Sequence, residues 1–162
     1  MCGLPAQLER EQRSVSVTIR TASADDLGGM VEILEQLFSI EEDFKPDRGL
    51  QIKGLKLLLE NNSGCLLVAK SGEKVVGMCS GQILISTAEG GPCLMMEDLV
   101  VHENYRGHGI GTRLIERLER FANSREISRV QLLADRNNTP ALKFYEKNGW
   151  KTTSLICLRE RI

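Results

Sequence analysis

Apolar residues along this chain switch repeatedly between a period of two and a period near 3.6. Val15, Val17 and Ile19 alternate with Ser16, Thr18 and Arg20, which predicts a half-buried strand. Leu27, Met30, Val31, Leu34, Leu37 and Phe38 then recur at helical spacing, the stripe of an amphipathic helix, with Ser23 and Asp26 marking its start. Glu41 to Asp47 is a polar break containing Pro46. A second helix is predicted from about Arg48 to Glu60, carrying Leu50, Leu55, Leu57, Leu58 and Leu59. Cys65 to Ala69 and Val75 to Ile85 read as strands of a hairpin, joined across Lys70 to Lys74. Gly90-Gly91-Pro92 turns the chain into a further, central strand.

The second half continues in the same way. Ile110, Leu114, Ile115, Leu118, Phe121 and Ala122 form one helical stripe. Val130 to Ala134 is nearly continuously apolar, as expected of a strand covered on both faces. Thr139 caps a last helix with Pro140 at its first position, and Asn148-Gly149 stops it after Lys147. Trp150 to Arg161 then supplies one or two closing strands. The order predicts a single α/β domain, a mixed sheet with helices on both faces. Met1 to Ser14 carries no periodicity and reads as a flexible tail, which leaves residues 15–162 as the domain.

Composition narrows the function by exclusion. The chain has 162 residues, 41% hydrophobic and 27% charged, the balance of a soluble globular protein. A net charge of −1 gives no electrostatic reason to expect nucleic acid or an anionic membrane as partner. The five cysteines are dispersed, with no Cys-x-x-Cys pair to suggest a metal, so free thiols in a reducing compartment are expected. No run is as long as a membrane span, and Met1 to Arg13 lacks the apolar core of a signal peptide. The expected location is cytoplasmic.

The chemistry concentrates between Met95 and Thr112. A strand there runs into Arg106-Gly107-His108-Gly109-Ile110-Gly111-Thr112 and then into a helix. Glycines at alternate positions let a ligand approach the backbone, and a helix N-terminus adds unpaired N–H donors and a positive dipole end. A phosphate is the natural guest. Arg106 and Arg113 add charge on either side. The loop is not a P-loop, because no lysine precedes Thr112, and it lacks the Gly-x-Gly-x-x-Gly dinucleotide spacing.

Arg106 to Gly111 does match the Gln/Arg-x-x-Gly-x-Gly/Ala signature, and the chain here resembles the GNAT N-acetyltransferase superfamily. Asn138 to Trp150, with Ala141, Phe144-Tyr145 and Gly149-Trp150, is similar to that family's other signature. The resemblance spans most of the chain from about Val15. It implies a GNAT fold and acetyl-CoA as cosubstrate. It places the main chain of Leu99, Val100 and Val101, above all Leu99 and Val101, along the pantetheine arm. Arg106 and the loop of Gly107, His108, Gly109, Ile110, Gly111 and Thr112 fall on the pyrophosphate, Asn138 near the coenzyme and Tyr145 beside its sulfur.

An alkylamine of pKa near 10.4 is neutral in on the order of one molecule in a thousand at pH 7, a deficit of roughly 4 to 5 kcal/mol. A base is therefore useful, and the departing thiolate benefits from an acid. Tyr145 is the expected acid. Glu97 and Asp98 are neighbours on one strand and point to opposite faces. By analogy with glutamates on this strand in several GNAT enzymes, Glu97 is favoured as base, acting through water, with Asp98 as runner-up and a merely solvated carboxylate as the alternative. Some relatives place a base five residues before the asparagine, where this chain has Leu133. His102 and His108 read as turn and loop residues, and Cys79 and Cys93 as inert thiols.

In GNAT folds the segment between the first two helices walls the acceptor pocket. Here it carries Glu41, Glu42, Asp43 and Asp47 against Lys45, which suggests a cationic acceptor. The leading expectation is an N-acetyltransferase acting on a small-molecule primary amine by direct attack in a ternary complex. A protein amine acceptor, a coenzyme A-binding regulatory module without turnover, and a partner-binding domain are the alternatives. A homodimer through an edge strand stays open, with no residue arguing for it.

Overall fold

The computed structural model describes residues 16–39 and 44–162. The tail 1–14, Val15 and the carboxylates Glu41, Glu42 and Asp43 lie outside the described residues. Among the described residues, five strands form one sheet in sequence order: β1 (Thr18–Thr21), β2 (Gly64–Ser71), β3 (Lys74–Ser86), β4 (Gly91–Val101) and β5 (Val130–Leu132). The first three pairings are antiparallel and the β4–β5 pairing is parallel. Helices α1 (Leu27–Phe38), α2 (Arg48–Glu60), α3 (Ile110–Asn123) and α4 (Thr139–Lys147) complete the fold, a single-domain α/β arrangement of the predicted kind.

The period of two sorts the strand residues into two cores. β2 gives Cys65, Leu67 and Ala69 to a cluster with Leu114 and Leu118 of α3. Its alternate residues Leu66 and Val68 join Met30, Val31, Ile33 and Leu34 of α1 and Leu55 of α2. Each large side chain buried this way contributes roughly 1.5–3 kcal/mol. That double coverage is why β2 reads as a continuous apolar run. Among the described residues no helix is long and apolar enough to cross a membrane.

An ion pair ties the first elements together. Asp26, buried at the end of a 3-10 turn (Ala24–Asp26), accepts from Arg20 at 2.7 and 2.9 Å and from the Ser23 N–H and hydroxyl at 2.9 and 3.0 Å. Lys70 of β2 lies 3.6 Å away. Burial alone would raise the Asp26 pKa, but the Arg20 and Ser23 hydrogen bonds override it and lower the value to about 2.

Three expectations are corrected. Asn138, not Thr139, caps α4, since its Oδ1 accepts from the Ala141 N–H at 3.1 Å and Thr139 is already helical. β5 ends at Leu132 and is half-buried, with Leu133 exposed, so it is an edge strand and not a doubly covered one. The closing strands do not form. Residues 151–162 pair with no strand, and Leu155, Ile156 and Leu158 are exposed. Arg159 stacks 4.8 Å over the Phe44 ring, so the segment reaches the α1–α2 connection instead of running along β5.

Candidate active site

β4 and β5 stay together for three residue pairs, from Leu94↔Val130 to Met96↔Leu132. Beyond Met96 they part. The gap is a cleft of about 360 Å³, lined among others by Leu37 of α1, Glu97 and Leu99 of β4, Leu133 after β5, and Asn138 and Tyr145 at α4. The two catalytic candidates from the sequence therefore share one cleft.

A β-bulge sets the β4 side. Cys79 faces Leu99 while Gly81 faces Met96, so Ser80 alone stands opposite both Glu97 and Asp98. Met96 and Leu99 consequently pack on the same α3-side cluster, which strict alternation would forbid. The Asp98 N–H donates to Ser80 Oγ at 3.1 Å, and the Ser80 hydroxyl donates to Asp98 Oδ2 at 2.8 Å. Burial raises the Glu97 pKa, and the neighbouring Asp98 charge raises it further. Burial also raises Asp98, against the Ser80 hydrogen bond.

Main-chain direction follows from the next residues. The His102 N–H donates to Val76 O of β3 at 2.9 Å, so by alternation Leu99 and Val101 turn their N–H and C=O groups away from β3, toward the side that β5 has left. The Val101 carbonyl is taken by Arg106 Nε at 3.0 Å. Val100, by contrast, faces β3 with its main chain and buries its side chain in the α1-side core.

Gly107 and Gly109 have φ of +80° and +73°, and a Cβ on either would meet nothing within 4 Å. The loop is open as well as left-handed there. His108 Nδ1 lies 2.9 Å from the Arg106 carbonyl and 3.3 Å from that of Tyr105, holding the turn if it carries the proton. The first helical bond of α3 runs from the Arg113 N–H to Gly109 O, so Ile110, Gly111 and Thr112 present N–H groups without a partner four residues back. Ile110 itself is a core side chain and offers its main chain alone.

Gly111 packs as well as presenting its N–H, because its Cβ would sit 3.0 Å from Phe144 Cζ. One loop expectation changes. Arg113 donates to Val17 O at 2.8 Å and fastens α3 to the start of β1, which commits the charge expected beside the loop. On α4, Tyr145 is half-buried, with ring centroids of Phe144 and Trp150 at 5.4 and 5.7 Å. His102 Nδ1 accepts from the Asn104 N–H at 3.2 Å and so shapes the turn.

Burial pushes the Cys79 thiol well above its usual value and Cys65 to about 11, which suits inert thiols. Among the described residues no group of three or more His, Cys, Asp or Glu is arranged to hold a metal. Sequence reasoning missed Leu37, Asp135 and Pro140 in the cleft lining, and the part played by Ser80. A hydroxyl inside the apolar run Val75 to Gly81 was the available signal for Ser80.

Comparison with known proteins fits this geometry. The chain is 26% identical over 144 residues to an acetyltransferase of Pectobacterium atrosepticum, covering 89% of this chain and 94% of the relative. A crystal structure named as a transcriptional regulator of Bacillus halodurans superposes with a TM-score of 0.79 at 28% identity, covering 91% of this chain and all of that one. An aminoglycoside N-acetyltransferase in complex with CoA shares the fold, with a TM-score of 0.78 at 15% identity over 90% of this chain and 95% of that one. The profile of the acetyltransferase (GNAT) family matches residues 30–150, well over half of the sequence. With two family signatures and a sheet that splits beside the glycine loop, this chain belongs to the acetyltransferase (GNAT) family, whose members are acyl-CoA-dependent acyltransferases.

Proposed function

We propose that the chain transfers an acetyl group from acetyl-CoA to the primary amine of a small cationic molecule, by direct attack in a ternary complex. One observation carries the reading: Glu97 of β4 and Tyr145 of α4 line the same cleft, which opens where β4 and β5 part. Glu97, lifted above the usual carboxylate range, takes the proton of the incoming ammonium through water. Tyr145, on α4, returns a proton to the leaving sulfur. The Leu99 N–H, turned away from β3, is the backbone donor that developing negative charge on the carbonyl oxygen requires.

The cosubstrate fits the chain's own groups. The edge of β4, through the main chain of Leu99 and the N–H of Val101, offers strand-like hydrogen bonds to an amide-bearing arm. The open backbone of Gly107 and Gly109, with the N-terminus of α3, offers N–H donors to a pyrophosphate, and Arg106 stands beside it. When bound, acetyl-CoA supplies an activated acyl group on a thiol leaving group. Among the described residues the cleft lining includes Glu97 and Asp135 and no lysine or arginine, which favours a cationic acceptor such as a polyamine or amino sugar. The CoA-bound aminoglycoside N-acetyltransferase of the same fold supports that class.

The solved structure named as a transcriptional regulator motivates a second reading, a coenzyme A-binding module without turnover. One assay separates them. Purified protein is titrated with acetyl-CoA, and thiol release is followed in the same samples against a panel of amines. Saturable binding with release is the expected result. Binding without release across small amines and lysine peptides would favour the module, and absence of binding would overturn the assignment of the Arg106 to Thr112 loop.

A further inference from the structure

The β4 bulge costs the sheet a ladder bond. Without the extra residue, the alternation that buries Leu94 and Met96 beside α3 would continue to Asp98 and Val100; with it, Leu99 and Val101 pack on that side and Glu97 and Asp98 both stand opposite Ser80. In the structure Ser80 absorbs the mismatch. Its buried hydroxyl accepts the Asp98 N–H that the bulge leaves without a strand partner, and donates to the Asp98 carboxylate. A buried hydroxyl is costly unless satisfied, and this one both gives and takes a hydrogen bond.

We propose that Ser80 and Asp98 are positioning residues for Glu97: the pair holds the bulge on which Glu97 stands at the cleft, and the Asp98 charge beside it sets the pH at which Glu97 accepts a proton. The proposal rests on the reading of Glu97 as base. Among the described residues, the titratable groups that share the cleft lining with Glu97 are Asp135 after β5 and Tyr145 on α4, Asp98 is its neighbour on β4, and α1 contributes Leu37. Asp98 is the sequence neighbour among them and the charge that acts on Glu97. Against Asp98 itself β3 places the Ser80 hydroxyl and, close by, the Cys79 thiol, which burial keeps neutral.

The test combines kinetics with a titration that needs no turnover. In the free protein, the Glu97 side-chain carboxyl is followed by carbon NMR from pH 3 to 9. Asp98→Asn keeps the shape, removes the charge, and should lower the Glu97 midpoint. The acid limb of kcat/KM should move with it. Ser80→Ala removes both hydrogen bonds and should reduce kcat by about tenfold or more with little change in KM for acetyl-CoA, and Ser80→Thr should restore it. A Glu97 midpoint unmoved by Asp98→Asn would overturn the electrostatic part. Wild-type kcat and midpoint in Ser80→Ala would overturn the positioning part. If no amine turns over, the enzymatic reading fails by itself, and the titration still decides what Asp98 does to Glu97.

Discussion

Phe144 of α4 presses its ring tip against Gly111 of α3, 3.0 Å from where a Cβ would stand. The glycine loop therefore serves two masters. Gly107 and Gly109 keep the backbone left-handed and open, and Gly111 lets the two helices flanking the site touch. Gly111→Ala should cost about 1–3 kcal/mol through overpacking. A lower Tm should be partly recovered in the double variant with Phe144→Leu. Gly109→Ala has open space but the wrong φ, at about 1 kcal/mol, and its larger effect should be a raised KM for acetyl-CoA. Equal thermal effects without rescue by Phe144→Leu would contradict this division.

Asp26 makes the fold sensitive to acid. Its folded pKa, about 2, lies below the ordinary 3.8. The stabilisation is therefore present in full above the unfolded value and is lost as pH falls from about 4 toward 2. The shift corresponds to about 2 kcal/mol. Chemical denaturation at pH 7, 4 and 2.5 should show this slope in the wild type, and Asp26→Asn should be less stable at pH 7 with a flatter dependence between those values.

Much of this was legible in the order of residues, for identifiable reasons. α2 begins at Arg48 and ends at Glu60 as the pattern predicts, because Asp47 caps it by accepting from the Leu50 N–H and a Gly64 turn follows. Glu97, Asn138 and Tyr145 meet at one cleft, since two local signatures sit at the ends of neighbouring strands. The bulge was not legible, because alternation carries no mark for an extra residue, and so the Ser80–Asp98 pair went unseen. The destination of residues 151–162 was equally hidden. Apolar alternation there looks like a strand, but a strand needs a neighbour, and the long-range contact of Arg159 with Phe44 has no local signature. Arg113 read as charge beside the loop for the same reason, its partner Val17 lying 96 residues away.

Tyr145→Phe tests the acid directly. The ring packs between Phe144 and Trp150, and phenylalanine keeps that packing. Acetyl-CoA affinity should therefore hold within error, while kcat falls by roughly 10²-fold or more. A variant with unchanged kcat would move the acid role to solvent.

Glu97 provides the sharpest pH signature. A base works in its ionised form, so activity should rise with pH through the Glu97 midpoint and disappear below it. Burial first and the Asp98 charge second place that midpoint above the usual glutamate range. The same shift carries a stability sign of its own. A carboxyl whose pKa is raised on folding weakens the fold as pH rises past the unfolded value, because the native state then holds a proton the unfolded chain has released. Glu97→Gln should accordingly lose 10²- to 10⁴-fold in kcat/KM and the acid limb with it, while its stability at pH 7 equals or exceeds that of the wild type. Measured together, a pH–rate profile and a denaturation curve separate this from simple damage, which would lower both. A variant that keeps the rate and the acid limb would place the base at Asp98 or in solvent.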